Sequence, residues 1–220
     1  MLSLNNETIE GMTNDNIPLI RPPDNKHIVF LEDRGMNVKR KCITLNHEGE
    51  PFEYEGMLIP HAEISSLSKF LEYNGDSPNI MYIYRPCDAS IKSLQNFKNN
   101  DYHELKNYYV LENADIINPD GYDSIGAYMV FDNGDRAWCG SVVSMEDVRR
   151  LGFKISNATA IQVSGFLHAC IAFMMKNPNY GYNESETIPH KELFKLCDKY
   201  MGRIYFRLMP PNDDIKNLTI

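Results

Sequence analysis

The sequence is short of several things, and each shortage excludes a class of protein. Five cysteines, Cys42, Cys87, Cys139, Cys170 and Cys197, form no C-x-x-C pair and are odd in number. That argues against a zinc module or a disulfide frame and for a reducing compartment. The six histidines show no ligand spacing, so no metal is expected. No Lys/Arg-rich run occurs and the formal net charge is −8, which speaks against nucleic-acid binding. No G-x-G-x-x-G follows a strand, and no G-x-x-x-x-G-K-[ST] appears. Neither G-x-S-x-G nor H-E-x-x-H is present. The opening MLSLNNETIEG has no basic start and no apolar run, unlike a signal peptide. A cytoplasmic protein is expected.

What is present is enough apolar residue, 43%, for a core. The richest stretch is 119–178. Ile125 to Phe131 and Ala137 to Val143 are apolar segments separated by Asp132-Asn133-Gly134-Asp135. Asn-Gly tolerates positive φ at both central turn positions, so a hairpin is predicted. Ser144 and Asp147 stand three apart, a capping-box start for a short helix through Arg150. Asn157 is a predicted N-cap for a helix from Ala158 to Lys176, closed by Asn177-Pro178. That helix is apolar on nearly all sides, which marks a buried or a membrane helix. It is barely long enough to span a bilayer and is interrupted by Gln162, Ser164 and His168, so a buried core helix and no membrane are expected.

Residues 1–25 read as an extended or disordered lead-in and 210–220 as a polar tail, with one α+β domain over 26–209 between them. Strands are predicted at His27–Glu32, Val38–Leu45, Gly56–Pro60, Asn79–Tyr84, Tyr108–Glu112 and Arg203–Met209, with a polar turn over Gly49–Glu55. Ile64, Leu67, Phe70 and Leu71 recur at helical spacing. Asp88 is a candidate N-cap for a helix carrying Ile91, Leu94 and Phe97. Pro189 to Glu192 opens a last helix that ends at Gly202. The elements do not alternate as βαβ units and include at least one hairpin. The fold class is therefore α+β: a mixed or mainly antiparallel sheet with helices packed on one face.

The candidate site residues each carry a plain reading. His61 and Glu63 lie where a strand ends and a helix begins. His61 there caps the helix, and Glu63 is a first-turn acid favoured by the dipole. Asp120 and Asp123 sit in PDGYD and read equally as turn residues. Trp138, the only tryptophan, reads as core or interface. His168 reads as a core histidine and His190 as a helix-start residue.

Local words then add up in order from residue 35 to about 202. They are Gly35-Met36-Asn37, Gly56-Met57-Leu58-Ile59-Pro60-His61-Ala62-Glu63, Tyr84-Arg85-Pro86-Cys87-Asp88, and Asp120-Gly121 with Asp123. Trp138-Cys139-Gly140-Ser141, Arg149-Arg150-Leu151, Asn157-Ala158-Thr159 with Gln162-Val163, Asn177-Pro178 and Pro189-His190-Lys191-Glu192 follow. In this pattern the chain resembles the C-terminal half of homospermidine synthase, within the saccharopine dehydrogenase-like group. The resemblance implies a substrate-binding and dimerising half, with an NAD-binding Rossmann half supplied elsewhere. It implies NAD-dependent oxidation of putrescine to an imine with loss of ammonia, condensation with a second putrescine, and re-reduction to homospermidine. It implies His61 as proton shuttle, Glu63 as ammonium partner or orienter, Asp123 and Asp120 as pocket carboxylates, and Trp138 as a cation–π partner. The implied partners are a polyamine such as putrescine, the NAD-binding half and a second copy in a homodimer. Two other readings stand beside it: a non-catalytic remnant or polyamine-binding module, and half of another saccharopine dehydrogenase-like amine or imine reductase.

Overall fold

The computed structural model describes residues 35–59, 61, 63–88, 90–92, 120–154 and 156–210. The predicted strands at 27–32 and 108–112, and both chain ends, lie outside these. The contacts divide the chain into two compact units. Of the described residues, the first unit holds those in 35–42 and 55–92, and the second those in 43–54 and 120–210.

Strands β1 (Gly35–Leu45), β2 (Pro51–Ile59) and β3 (Tyr82–Tyr84) form one sheet in that order. The connection between β1 and β2 is tighter than the sequence suggests. Asn46 accepts the Glu48 and Glu50 N–H groups through its side chain, and Gly49 takes φ +84°. The reversal is therefore complete by Glu50, and Pro51 to Glu55, expected as a polar turn, is strand. Polar residues there alternate on an exposed strand before the buried run Gly56 to Ile59. β3 lies antiparallel to β2, with Met57, Leu58 and Ile59 facing Tyr84, Ile83 and Tyr82. It is shorter than the predicted run from Asn79. Helix α1 (Glu63–Phe70) follows β2 and buries Ile64 at its start.

The second unit is built on β4 (Tyr122–Val130), β5 (Arg136–Ser144) and β6 (Arg203–Met209), antiparallel throughout. The predicted hairpin closes at Asn133-Gly134, but only Gly134 takes positive φ, at +86°; Asn133 stays outside that region and its Oδ1 accepts the Asp135 N–H. Helix α2 (Met145–Arg150) starts with the predicted capping box: Ser144 Oγ accepts from the Asp147 N–H at 3.1 Å, and Asp147 accepts from the Ser144 N–H at 3.0 Å. Helix α3 (Ala158–Lys176) is capped by Asn157, whose side chain accepts from the Ala160 N–H at 2.8 Å. Helix α4 (His190–Cys197) begins after Pro189. A short 3₁₀ segment, Asp198–Tyr200, then leads to Gly202 at φ +61°.

Each face of this second sheet has its own core. On one face Val143 joins Met145 and Val148 of α2 and Ala158 and Ile161 of α3. Gln162, buried, donates from its amide nitrogen to Ser141 Oγ and ties α3 to the middle strand. On the other face Trp138 and Val142 are covered by Leu45, with Tyr128, Tyr205 and Met209 around them. A third cluster joins α3 to α4 through Ala169, Phe173, Leu193 and Cys197.

Helix α3 departs from expectation. It is not buried all round. One stripe, Ala158, Ile161, Gln162, Gly165, Ala169 and Phe173, is buried. The opposite stripe is open: Val163 is 59% exposed, Leu167 57%, Met174 64% and Met175 79%. His168, expected in the core, is also exposed, with its ring edge-on to Tyr200. Beyond the helix, β6 leaves Phe206 and Leu208 exposed on the face that Ser141 shares by register.

Candidate functional site

β2 runs out of its buried segment at Ile59, and α1 starts at Glu63. His61 stands between them. Its carbonyl accepts the Ile64 N–H at 3.1 Å and so opens the helix, while Glu63 occupies the first turn, where an acid suits the dipole. The plain reading of both backbones therefore holds. The side chains do more. His61 Nδ1 lies 3.0 Å from Glu63 Oε2. That is ion-pair distance, although the carboxylate sits off the line that an in-plane ring N–H prefers. The imidazole is 23% exposed and the carboxylate 57%.

A third side chain completes this cluster. Tyr82 stacks on His61 with ring centroids 4.2 Å apart and planes within 6°. The strand register delivers it, since Tyr82 faces Ile59, two residues before His61. Sequence reasoning missed Tyr82. Its only signal was its place at the end of an apolar run, whose pairing with β2 the sequence does not give.

Charge follows from these contacts. The contact with His61 holds the Glu63 carboxyl below the usual carboxylate range; partial burial opposes this, and attraction to the imidazole adds to the lowering. Glu63 is thus a carboxylate at neutral pH, beside a group that can carry a proton. A histidine oriented by a carboxylate is a common form of proton donor and acceptor.

Asp120, Asp123 and Trp138 belong to the second unit. Asp120 is exposed in the turn before β4, and Asp123 is half-buried on β4 opposite Val143. Trp138 is 1% exposed. Leu45 and Val142 pack on it, and Gly126 and Gly140 lie against its ring so closely that a Cβ on either would come within 2.7 Å of it. Its place is that of a core residue. Asp88, a candidate N-cap, accepts a 2.7 Å bond from Arg85 Nη2.

An open hollow of about 650 Å³ lies at the end of the β4–β5 hairpin, among Phe131, Asp132, Asn133, Asp135, Arg136, Leu208 and Met209. It contains none of the predicted site residues. Arg136, buried beside it, donates from Nε to the Pro210 carbonyl at 2.8 Å and from Nη1 to Tyr128 Oη at 3.2 Å. These bonds fasten the end of β6.

The described residues hold no dinucleotide cradle. The pairs β2–β3, β4–β5 and β5–β6 are antiparallel, and no glycine fingerprint lies between a strand and a helix. A crevice at the carboxyl ends of parallel strands, where such cofactors bind, is therefore not formed by them. The described residues do not fit NAD by themselves.

No family model matches the chain. It is similar to homospermidine synthase of Blastochloris viridis, 26% identical over 155 residues, or 68% of this chain and 32% of that protein. It is also similar to homospermidine synthase of Mesorhizobium japonicum, 25% identical over 187 residues, or 81% of this chain and 37% of that protein. Among solved structures, the homospermidine synthase of Legionella pneumophila in complex with NAD matches with a TM-score of 0.75 and 24% identity, over 92% of this chain and 46% of that one. The chain thus spans from 32% to 46% of the length of these proteins.

Proposed function

From this likeness, which runs through most of the chain but under half of each relative, we infer that the chain is the substrate-facing part of a homospermidine synthase-like enzyme. It works with an NAD-binding half carried elsewhere. The observation that carries the reading is the pairing of His61 and Glu63 at the junction of β2 and α1. NAD, held by the other half, supplies the redox chemistry. This chain's own residues handle charge and protons. Glu63, a carboxylate at neutral pH, receives the ammonium group of putrescine or steers His61. His61 takes the proton that an attacking amine must lose and returns it to the leaving nitrogen. Asp120 and Asp123 are further candidate carboxylates for a di-cation. For Trp138 the cation–π reading is the weaker one, because its ring is covered.

The homodimer belongs to the same proposal. The open stripe of α3 lies in a helix with no Asp, Glu, Lys or Arg from Ala158 to Met175. Two-fold pairing sets a surface against itself, so like charges would meet; a charge-free apolar stripe avoids that cost. We assign the second copy to it.

The experiment mixes the chain with an NAD-binding half from a homospermidine synthase, NAD and putrescine, and follows homospermidine by mass spectrometry. Product that needs both proteins is expected. No product with any partner half would defeat the catalytic reading. Retained putrescine binding in that case would favour a polyamine-binding module.

A further inference from the structure

We propose that Tyr82 is the positioning residue of this site: its phenol ring lies face to face on the His61 imidazole and fixes the plane in which Nδ1 stays turned to Glu63. The inference rests on the reading of His61 as the proton carrier for its catalytic meaning, and on geometry alone for the rest.

Three observations lead there. First, the ring planes are parallel within 6° at 4.2 Å. Parallel rings at this separation also pack when both are neutral. A close parallel stack gains when one ring carries positive charge, because the phenol face is electron-rich. Second, Glu63 faces the same imidazole from α1 at 3.0 Å and favours the same charged form. Tyr82 from β3 and Glu63 from α1 thus act in one direction on the imidazole between them. Third, the register fixes the partners. β3 is three residues long, and its first residue faces Ile59, so Tyr82 is set beside the chain segment that carries His61. A side chain in a short inter-element segment has few backbone restraints of its own. The stack supplies one, on a face of the ring, while Glu63 meets Nδ1.

A space-filling role for a half-buried tyrosine makes a different forecast. Replacing the ring by an aliphatic chain would then lower stability and leave the histidine's titration alone. The test uses the full 220-residue chain with labelled histidine, following each histidine's ring signals by NMR against pH, with His61→Gln to assign the resonance. In Tyr82→Leu the His61 midpoint is expected to fall by about half a pH unit, the size of one surface cation–π contact. In Tyr82→Phe, which keeps the ring, it should stay with the wild type. An unchanged midpoint in a folded Tyr82→Leu protein overturns the proposal. Should that variant not fold, the wild type decides: ring-to-ring NOEs between His61 and Tyr82 are expected, and their absence overturns the proposal equally.

Activity separates this inference from the one beneath it. With the partner half present, Tyr82→Leu should shift the pH profile of kcat and leave KM for putrescine near wild type. A shifted NMR midpoint with no homospermidine from any pairing sinks the catalytic reading and leaves the positioning role standing. Product with an unshifted profile sinks the positioning role and leaves the catalytic reading standing.

Discussion

Replacing Trp138 by alanine distinguishes a core tryptophan from a ligand-facing one. Its side chain is 1% exposed and is enclosed by Leu45, Val142, Tyr128, Tyr205 and Met209. Gly126 and Gly140 form its floor, because any side chain there would meet the ring. Truncation would leave a hole that rigid neighbouring strands cannot close. Large-to-small changes at such aromatic positions cost about 3–5 kcal/mol. Against a typical domain stability of about 5–15 kcal/mol, that is about a fifth or more. With a urea slope of about 2 kcal/mol/M, the unfolding midpoint should fall by about 2 M. Circular dichroism is the suitable probe, since the variant loses the chain's only tryptophan. Trp138→Phe should recover most of the loss. A midpoint that stays put in Trp138→Ala, together with lost putrescine-dependent turnover, would refute this reasoning and put the ring on a ligand.

Other outcomes follow from single contacts. Ser144→Ala removes half of the capping box and should cost about 1 kcal/mol in urea unfolding. Burial pushes the Asp147 carboxyl up, but the Ser144 N–H, the Ser144 hydroxyl and the Arg150 guanidinium outweigh it and leave its pKa lowered. A depressed carboxylate stabilises above its unfolded value of 3.8 and ceases to as pH falls through the lower folded one. Stability measured from pH 6 down to 2 should therefore drop in the acid range, and Asp147→Asn should flatten that drop. Gly202→Ala meets positive φ and Val143 within 3.0 Å, and should cost more than Gly152→Ala, which at φ +85° meets open space. The backbone share is about 1–2 kcal/mol in each, so the difference read by thermal unfolding reports the clash. Leu167→Asp on the open stripe of α3 should shift the chain from dimer to monomer by light scattering; an unchanged mass would show that the stripe is not the interface.

Much of the second unit was legible because its signals are local. Asn133-Gly134 sets a two-strand turn, Ser144 and Asp147 bond each other within four residues, and Asn157 caps a helix through its own side chain. Each depends on neighbours in sequence, so spacing reveals it. The misses depend on partners distant in sequence. The stretch Pro51–Glu55 looks like a turn by composition, yet the tight reversal at Asn46–Glu50 leaves it no choice but to pair as strand. Helix α3 is apolar on all sides, so periodicity could not tell which stripe the sheet would take; Gln162, the polar interruption, marks the buried one through Ser141. At the site, His61 and Glu63 were visible as a word, two residues apart on one segment. Tyr82 was not, because only the β2–β3 register brings it to the imidazole.

The most direct test of the account is the turnover of the chain with its partner half when His61 is replaced by alanine. If His61 moves the proton, the rate of homospermidine formation should fall by about 10²–10⁴ with putrescine affinity near wild type. An unchanged rate in His61→Ala would contradict the account.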